Sequence, residues 1–134
     1  MNTKEILSQK GLRPTIQRIK VYEYLLTHRT HPDVENIYND LKKEIPTISR
    51  TTIYNTLKEL VKNGLVLEIP TEYKLCFDGY MQNHSHFICE VCGKIFDLNL
   101  DLKFKENKIS DHIIKSFCVM FKGICINCQR KEKK

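Results

Sequence analysis

The sequence predicts an α+β protein in two parts: an N-terminal winged helix-turn-helix, then a small α/β half with a structural zinc site. Three observations carry this. Apolar residues recur at helical spacing from Ile6 to Val61, the period changes to two directly after Gly64, and all six cysteines lie at or beyond Cys76.

Ile6 and Leu7 predict a short first helix ended by Gly11. Pro14 stands where a second can begin, and Ile16, Ile19, Tyr22, Leu25 and Leu26 give its stripe. After the break at His28–Pro32, Asp33 can cap a third helix with Val34, Ile37, Tyr38 and Leu41 inward, stopped by Pro46. Ser49 can cap a fourth, with Ile53, Leu57, Leu60 and Val61 inward and Gly64 closing it. Leu65, Leu67 and Ile69 then alternate, a turn contains Pro70, and Tyr73, Leu75 and Phe77 alternate again, which reads as a hairpin. Helices followed by a two-stranded hairpin is the order of a winged helix-turn-helix.

That stripe leaves Thr51, Thr52, Tyr54, Asn55 and Lys58 on or near the outer face of the fourth helix. Hydroxyls, an amide, a phenol and one ammonium suit a helix lying in the major groove of DNA. Arg13, Arg18 and Arg50 can reach flanking phosphates, contacts that add affinity without sequence information. The alternative is an ordinary solvated helix in a bundle.

Composition narrows the function classes. A chain of 134 residues, 41% hydrophobic and 28% charged, can bury a core, and its net charge of +6 suits nucleic acid without locating a binding face. No run approaches the roughly 20 apolar residues of a membrane span. Met1-Asn2-Thr3-Lys4-Glu5 leads into a helical pattern rather than an apolar run with a cleavage site, which predicts a reducing, cytoplasmic location. There, cysteines serve as ligands or redox thiols rather than as a disulfide framework. The basic tail Arg130-Lys131-Glu132-Lys133-Lys134 reads as a solvated, frayed end.

In the second half, Cys89-Glu90-Val91-Cys92-Gly93 and Cys125-Ile126-Asn127-Cys128 are two C-x-x-C pairs. Two intervening residues let both sulfurs of a pair converge on one ion at about 2.3 Å, and Gly93 permits the tight knuckle. Four sulfurs close a tetrahedral site with no open position, hence a structural one. The alternative, two thioredoxin-type redox motifs, lacks the βαβ pattern such motifs sit on. A half of roughly 60 residues is too small to be held by its core alone. Zinc contributes on the order of 10 kcal/mol or more to the folding of such sites.

A chemically different cluster precedes the first pair. His84-x-His86 on a strand presents two imidazoles on one face, Asp78 lies upstream, and Asp97 falls on the next strand, Lys94–Asp97. Mixed nitrogen and oxygen ligation suits Fe(II), Mn(II) or Zn(II) bound reversibly. His28 and His112 read as ordinary histidines, and Cys76 and Cys118 as small apolar fillers.

These residues carry a resemblance. Gly11-Leu12-Arg13-Pro14-Thr15-Ile16-Gln17-Arg18, His31-Pro32, Ile37-Tyr38 and Ser49-Arg50-Thr51-Thr52-Ile53-Tyr54-Asn55-Thr56-Leu57 together resemble the ferric uptake regulator family. So do His84-x-His86-Phe87-Ile88-Cys89-Glu90-x-Cys92-Gly93-Lys94 and Cys125-x-x-Cys128. The resemblance implies a cytoplasmic, homodimeric, metal-dependent repressor, not an enzyme, that binds palindromic double-stranded operator DNA and no membrane. It divides the chain into a winged-helix DNA-binding domain over 1–78 and a dimerisation and metal-binding domain over 79–134.

Within the family the sequence is most similar to the peroxide-stress branch. That implies a regulatory site of His31, Asp78, His84, His86 and Asp97, holding one Fe(2+) or Mn(2+) per subunit beside one structural Zn(2+). Aspartate at position 97, where iron-uptake regulators usually carry glutamate, points to this branch. His31 enters only through the resemblance. The implied signal is peroxide, which with Fe(II) bound oxidises His31 or His84 and so releases the operator. Cys76, two residues before Asp78, can ligate instead and keeps a zinc-uptake regulator as the main rival within the family, beside an iron-uptake regulator. A zinc-dependent thiol oxidoreductase is the rival from another class.

Overall fold

The computed structural model describes residues 2–72, 74–79, 85–98, 108–114 and 119–132. The chain divides into two compact units, Met1–Met81 and Gln82–Lys134. Among the described residues no helix is long and apolar enough to cross a membrane.

In the N-terminal unit each helix starts where a short polar side chain can take up an orphan N–H. Asn2 caps α1 (Thr3–Gln9) by accepting from the Glu5 amide at 2.9 Å, and Thr15 caps α2 (Ile16–Thr27) by accepting from Arg18 at 3.2 Å. Asp33 and Asn36 form a reciprocal capping box at the head of α3 (Val34–Leu41), with bonds of 2.8 and 3.0 Å. Ser49 caps α4 (Arg50–Lys62) by accepting from Thr52 at 3.1 Å. The expected caps at Asp33 and Ser49 are therefore present, whereas α2 begins two residues beyond Pro14. Gly64, at φ +75°, ends α4 in the left-handed region that glycine enters without a Cβ penalty.

Leu7, Val21, Leu25, Ile37, Ile53, Leu57, Leu60 and Phe77 fill one core. The stripe of α2 differs from the expected one: Ile16 is 68% and Leu26 41% exposed, while Val21 and Tyr24 are buried. The buried face is centred on Val21 and Leu25, which are one turn apart, and Leu26 lies about 100° round the helix from Leu25.

The hairpin pairs β1 (Leu67–Pro70) with β2 (Leu75–Asp78), Leu67 opposite Asp78 and Pro70 opposite Leu75. Pro70 thus ends a strand rather than sitting in the turn. The turn is closed by Thr71, whose amide and hydroxyl both donate to the Lys74 carbonyl, at 2.9 and 2.7 Å. In a two-stranded ribbon, a proline at a strand end costs no ladder bond that a third strand would need. Tyr73 lies outside the described residues. The strict alternation expected for the second strand is also absent, because Cys76, Phe77 and Asp78 are all buried.

The C-terminal unit contains β3 (Ser85–Cys89), β4 (Ile95–Leu98), the short hairpin β5 (Lys108–Ile109) and β6 (His112–Ile113), β7 (Met120–Gly123) and α5 (Ile126–Glu132). β3 is central, antiparallel to β4 and parallel to β7. The strand expected at Lys94–Asp97 starts one residue later, because the Lys94 carbonyl accepts from the Cys89 amide at 3.0 Å to close the knuckle between β3 and β4. The basic tail is helical through Glu132, continuing from the second C-x-x-C pair. His112, on β6, is exposed.

Leu57→Ala, in the N-terminal core, is expected to cost about 3 kcal/mol in urea unfolding, the usual range for a buried leucine. Ile16→Ala should cost under about 0.5 kcal/mol if its side chain is solvated as described.

Candidate metal centres

β3 ends in Cys89, the knuckle carries Cys92, Cys125 follows β7 and Cys128 lies on α5. The pairing of β3 with β7, Cys89 opposite Gly123, brings the two C-x-x-C pairs together. Cys89 Sγ is 3.8 Å from Cys128 Sγ, and Cys92 Sγ is 3.8 Å from Cys125 Sγ. A tetrahedron with metal–sulfur arms of about 2.3 Å has edges of about 3.8 Å, so the spacing is that of four ligands around one ion. All four sulfurs lie within 4.8 Å of one another.

The electrostatics of the clamp are divided. The amides of Cys92, Cys125 and Val91 each lie 3.4 Å from Cys89 Sγ, and these N–H donors pull that thiol down to about 6. Burial, reinforced by the neighbouring sulfurs, pushes the Cys128 thiol up to about 12. One sulfur is prepared as a thiolate and another is held back from ionising, a conflict that a divalent cation among the four removes. Gly93, at φ +75°, makes the turn that presents Cys92. Cys76 is fully buried in the N-terminal unit, as expected of an apolar filler, and Cys118 lies outside the described residues.

The N-terminal unit holds a buried imidazole–carboxylate pair. His31 Nε2 stands 3.6 Å from Asp78 Oδ2, with the two residues only 7% and 4% exposed. The Phe77 amide donates to the Pro32 carbonyl at 2.9 Å, which ties β2 to the segment carrying His31 and so sets Asp78 beside it. His31 itself has φ +58°, a left-handed backbone that costs a non-glycine residue about 1–2 kcal/mol and is concentrated at functional positions.

The C-terminal unit holds a second imidazole–carboxylate pair, in which the imidazole is buried and the carboxylate exposed. His86 on β3 is directly opposite Asp97 on β4, with Nε2 3.4 Å from Oδ1, and the imidazole is 1% exposed. Nitrogen and oxygen ligands about 2.0–2.2 Å from a common ion lie roughly 3–3.5 Å apart; the His86–Asp97 pair falls in that range, and the His31–Asp78 pair, at 3.6 Å, stands just beyond it. His84 lies outside the described residues.

On α4, Thr51, Tyr54 and Asn55 are exposed and Thr52 and Lys58 half-buried, in keeping with an outer face. Two of the three cations of this helix are engaged, Arg50 with Glu35 and Lys58 with Glu68, while Lys62 is exposed in the last turn. Arg18 donates to the Arg13 carbonyl at 3.0 Å. Sequence reasoning did not single out Glu35 or Glu68. Each acts on a residue of another element, so no local spacing announces it. His28 stacks on Tyr24, ring centroids 3.9 Å apart, consistent with an ordinary structural histidine.

Comparison with known proteins gives concordant matches. The ferric uptake regulator family matches residues 9–118. The peroxide-responsive repressor PerR of Staphylococcus aureus strain Mu50 is 35% identical over 130 residues, 93% of this chain and 88% of that protein. The crystal structure of the Campylobacter jejuni peroxide stress regulator superposes with a TM-score of 0.67 at 32% identity, covering 96% of this chain and all of that one. The Helicobacter pylori ferric uptake regulator Fur, at 20% identity and TM-score 0.72 over 94% of this chain, shares the fold.

Cys125→Ser is expected to strip the chain of the metal it retains through dialysis, read as metal per chain by elemental analysis. It should also abolish cooperative unfolding of the C-terminal unit while the N-terminal transition persists. Metal retained at the wild-type level would contradict the four-sulfur site.

Proposed function

The chain belongs to the ferric uptake regulator family, whose members are metal-responsive transcriptional regulators rather than enzymes, and from that premise we propose that it is a peroxide-sensing repressor of operator DNA. Family membership also removes the thiol oxidoreductase alternative. The observation that carries the peroxide reading is the His86–Asp97 rung, an aspartate where the uptake branch has glutamate. Identity of 34–35% to repressors named PerR supports it.

In this reading the four cysteines hold one structural Zn(2+) per subunit. The two pairs, His31–Asp78 and His86–Asp97, together with His84, hold one regulatory Fe(2+) or Mn(2+). Donors drawn from both units would make ion binding depend on their arrangement, so an ion that prefers one arrangement shifts the population toward it. In a cytoplasmic homodimer the favoured arrangement sets two copies of α4 into successive major grooves, about 34 Å apart. Thr51, Thr52, Tyr54, Asn55 and Lys58 then face the bases, and Arg13, Arg18 and Arg50 the backbone.

Bound Fe(2+) supplies the redox chemistry by which peroxide oxidises a ligand imidazole, which Mn(2+) does not. His31 and His84 are the imidazoles assigned to that oxidation. Oxidised His31 or His84 is a poorer ligand, and its loss removes the coupling that holds the operator-bound arrangement.

The test is binding to an operator selected from random duplexes, with Fe(II), Mn(II) or Zn(II), each with and without peroxide. The expected result is that peroxide abolishes binding only in the Fe(II) form, with a gain of one oxygen in the peptides bearing His31 or His84. Activation by Zn(II) alone would favour a zinc-uptake regulator. Fe(II)-dependent binding that survives peroxide without oxidation would favour an iron-uptake regulator.

A further inference from the structure

Two of the three cations of α4 are held by carboxylates from other elements of the same unit; the third, Lys62, is exposed in the last turn. Arg50, the first residue of the helix, donates from Nε and a terminal nitrogen to the two oxygens of Glu35 on α3, the second bond at 3.3 Å. Its guanidinium also lies over the Tyr38 ring, 4.1 Å from the centroid. Lys58, about two turns on, donates to Glu68 on β1 and stands 5.3 Å from the centroid of Tyr54. Arg13 and Arg18, by contrast, have no acidic partner among the described residues.

A cation that reaches a phosphate releases a counterion and steepens the salt dependence of binding by about 0.9 per contact, for any sequence. A cation already neutralised by a carboxylate contributes little of that term. The other outward groups in the first two turns of α4, Thr51, Thr52, Tyr54 and Asn55, carry no charge and act by hydrogen bonding and contact, which depend on sequence.

We propose that Glu35 and Glu68 are specificity determinants, which restrain and neutralise Arg50 and Lys58 so that α4 reads bases and, of the three arginines set toward the backbone, Arg13 and Arg18 rather than Arg50 supply the phosphate anchoring. The proposal rests on the operator-binding reading above. The two carboxylates are positioning residues: they act through the cations and need not touch DNA. Their effect is to lower affinity for arbitrary DNA more than affinity for the operator, which raises the ratio between the two.

The test uses the full chain, loaded with Mn(2+), and two duplexes: one selected by the wild type from a random pool, and a scrambled version. Binding is measured across about 50–200 mM salt for the wild type, Glu35→Gln, Glu35→Asp and Glu68→Gln. Glu35→Gln should bind the scrambled duplex about tenfold more tightly, with a slope steeper by about 0.9 per protomer, and gain less on the selected one. Glu68→Gln should act in the same direction, and Glu35→Asp, which keeps the charge, should behave as the wild type. A merely structural role for Glu35 would not steepen the salt slope. Wild type that binds the selected duplex, with Glu35→Gln unchanged or weaker on both duplexes, overturns the proposal alone. Wild type that binds no duplex overturns the operator reading and the proposal with it.

Discussion

Four sulfurs with edges of 3.8 Å make a demand that the protein alone does not meet. As thiolates they repel one another, and as thiols those of Cys89, Cys125 and Cys128 sit desolvated. Backbone donors lower the Cys89 thiol and burial raises that of Cys128, so the surroundings favour opposite charge states at neighbouring sulfurs. A cation meets that demand, and what it fixes extends beyond the knuckles. Cys89 ends the central strand β3, and Cys125 follows β7 directly. Locking those ends together holds the parallel pair in register, and β3 then sets His86 opposite Asp97. Stability and the placement of one half of the candidate regulatory site thus share a single strand. In a unit this small, which cannot bury enough apolar surface to stand unaided, the clamp does much of the work of a core.

The N-terminal unit is stabilised by other means. Four capped helices converge on a core of aliphatic side chains closed by Phe77, with no ion required. Its candidate ligand is placed at some energetic cost: His31 is held in a left-handed conformation and buried beside Asp78. Such a backbone persists only where its surroundings over-determine it, and the bond from the Phe77 amide to the Pro32 carbonyl is one such constraint. Gly79, next to Asp78, has a further role there. A Cβ at that position would come within 3.0 Å of the Leu25 Cβ and 3.2 Å of its carbonyl carbon, so only glycine lets β2 leave the hairpin so close to α2.

Much of this was legible in the sequence, and the reasons differ from residue to residue. The C-x-x-C pairs could be read because metal ligation fixes a local spacing, and the caps at Asp33 and Ser49 because capping is an interaction over three residues. His86 and Asp97 were found through strand periodicity. The outward drift of Ile16 and Leu26 was not legible, since Val21 competes for the same face and only tertiary packing decides between them. Nor was the place of Pro70, because the turn depends on Thr71 bonding Lys74. His31 is the instructive case. It lies in a loop with no period, far from Asp78 in sequence, and only the family resemblance drew attention to it. The Glu35–Arg50 and Glu68–Lys58 pairs were hidden for the same reason, being contacts between elements rather than patterns within one.

The central proposal is that the two imidazole–carboxylate pairs, one in each unit, serve a single regulatory ion. A titration of Mn(2+) into the zinc-loaded chain, followed by electron paramagnetic resonance, tests it directly for the wild type, His31→Ala and His86→Ala. If the ion is shared, the wild type binds one Mn(2+) per chain tightly, and each substitution alone weakens that one site by at least about a hundredfold, since a lost ligand cannot be replaced from the other unit. If instead either variant keeps a tight Mn(2+) site with the other pair intact, the two pairs are independent sites, and the proposed coupling between the units through one ion is wrong.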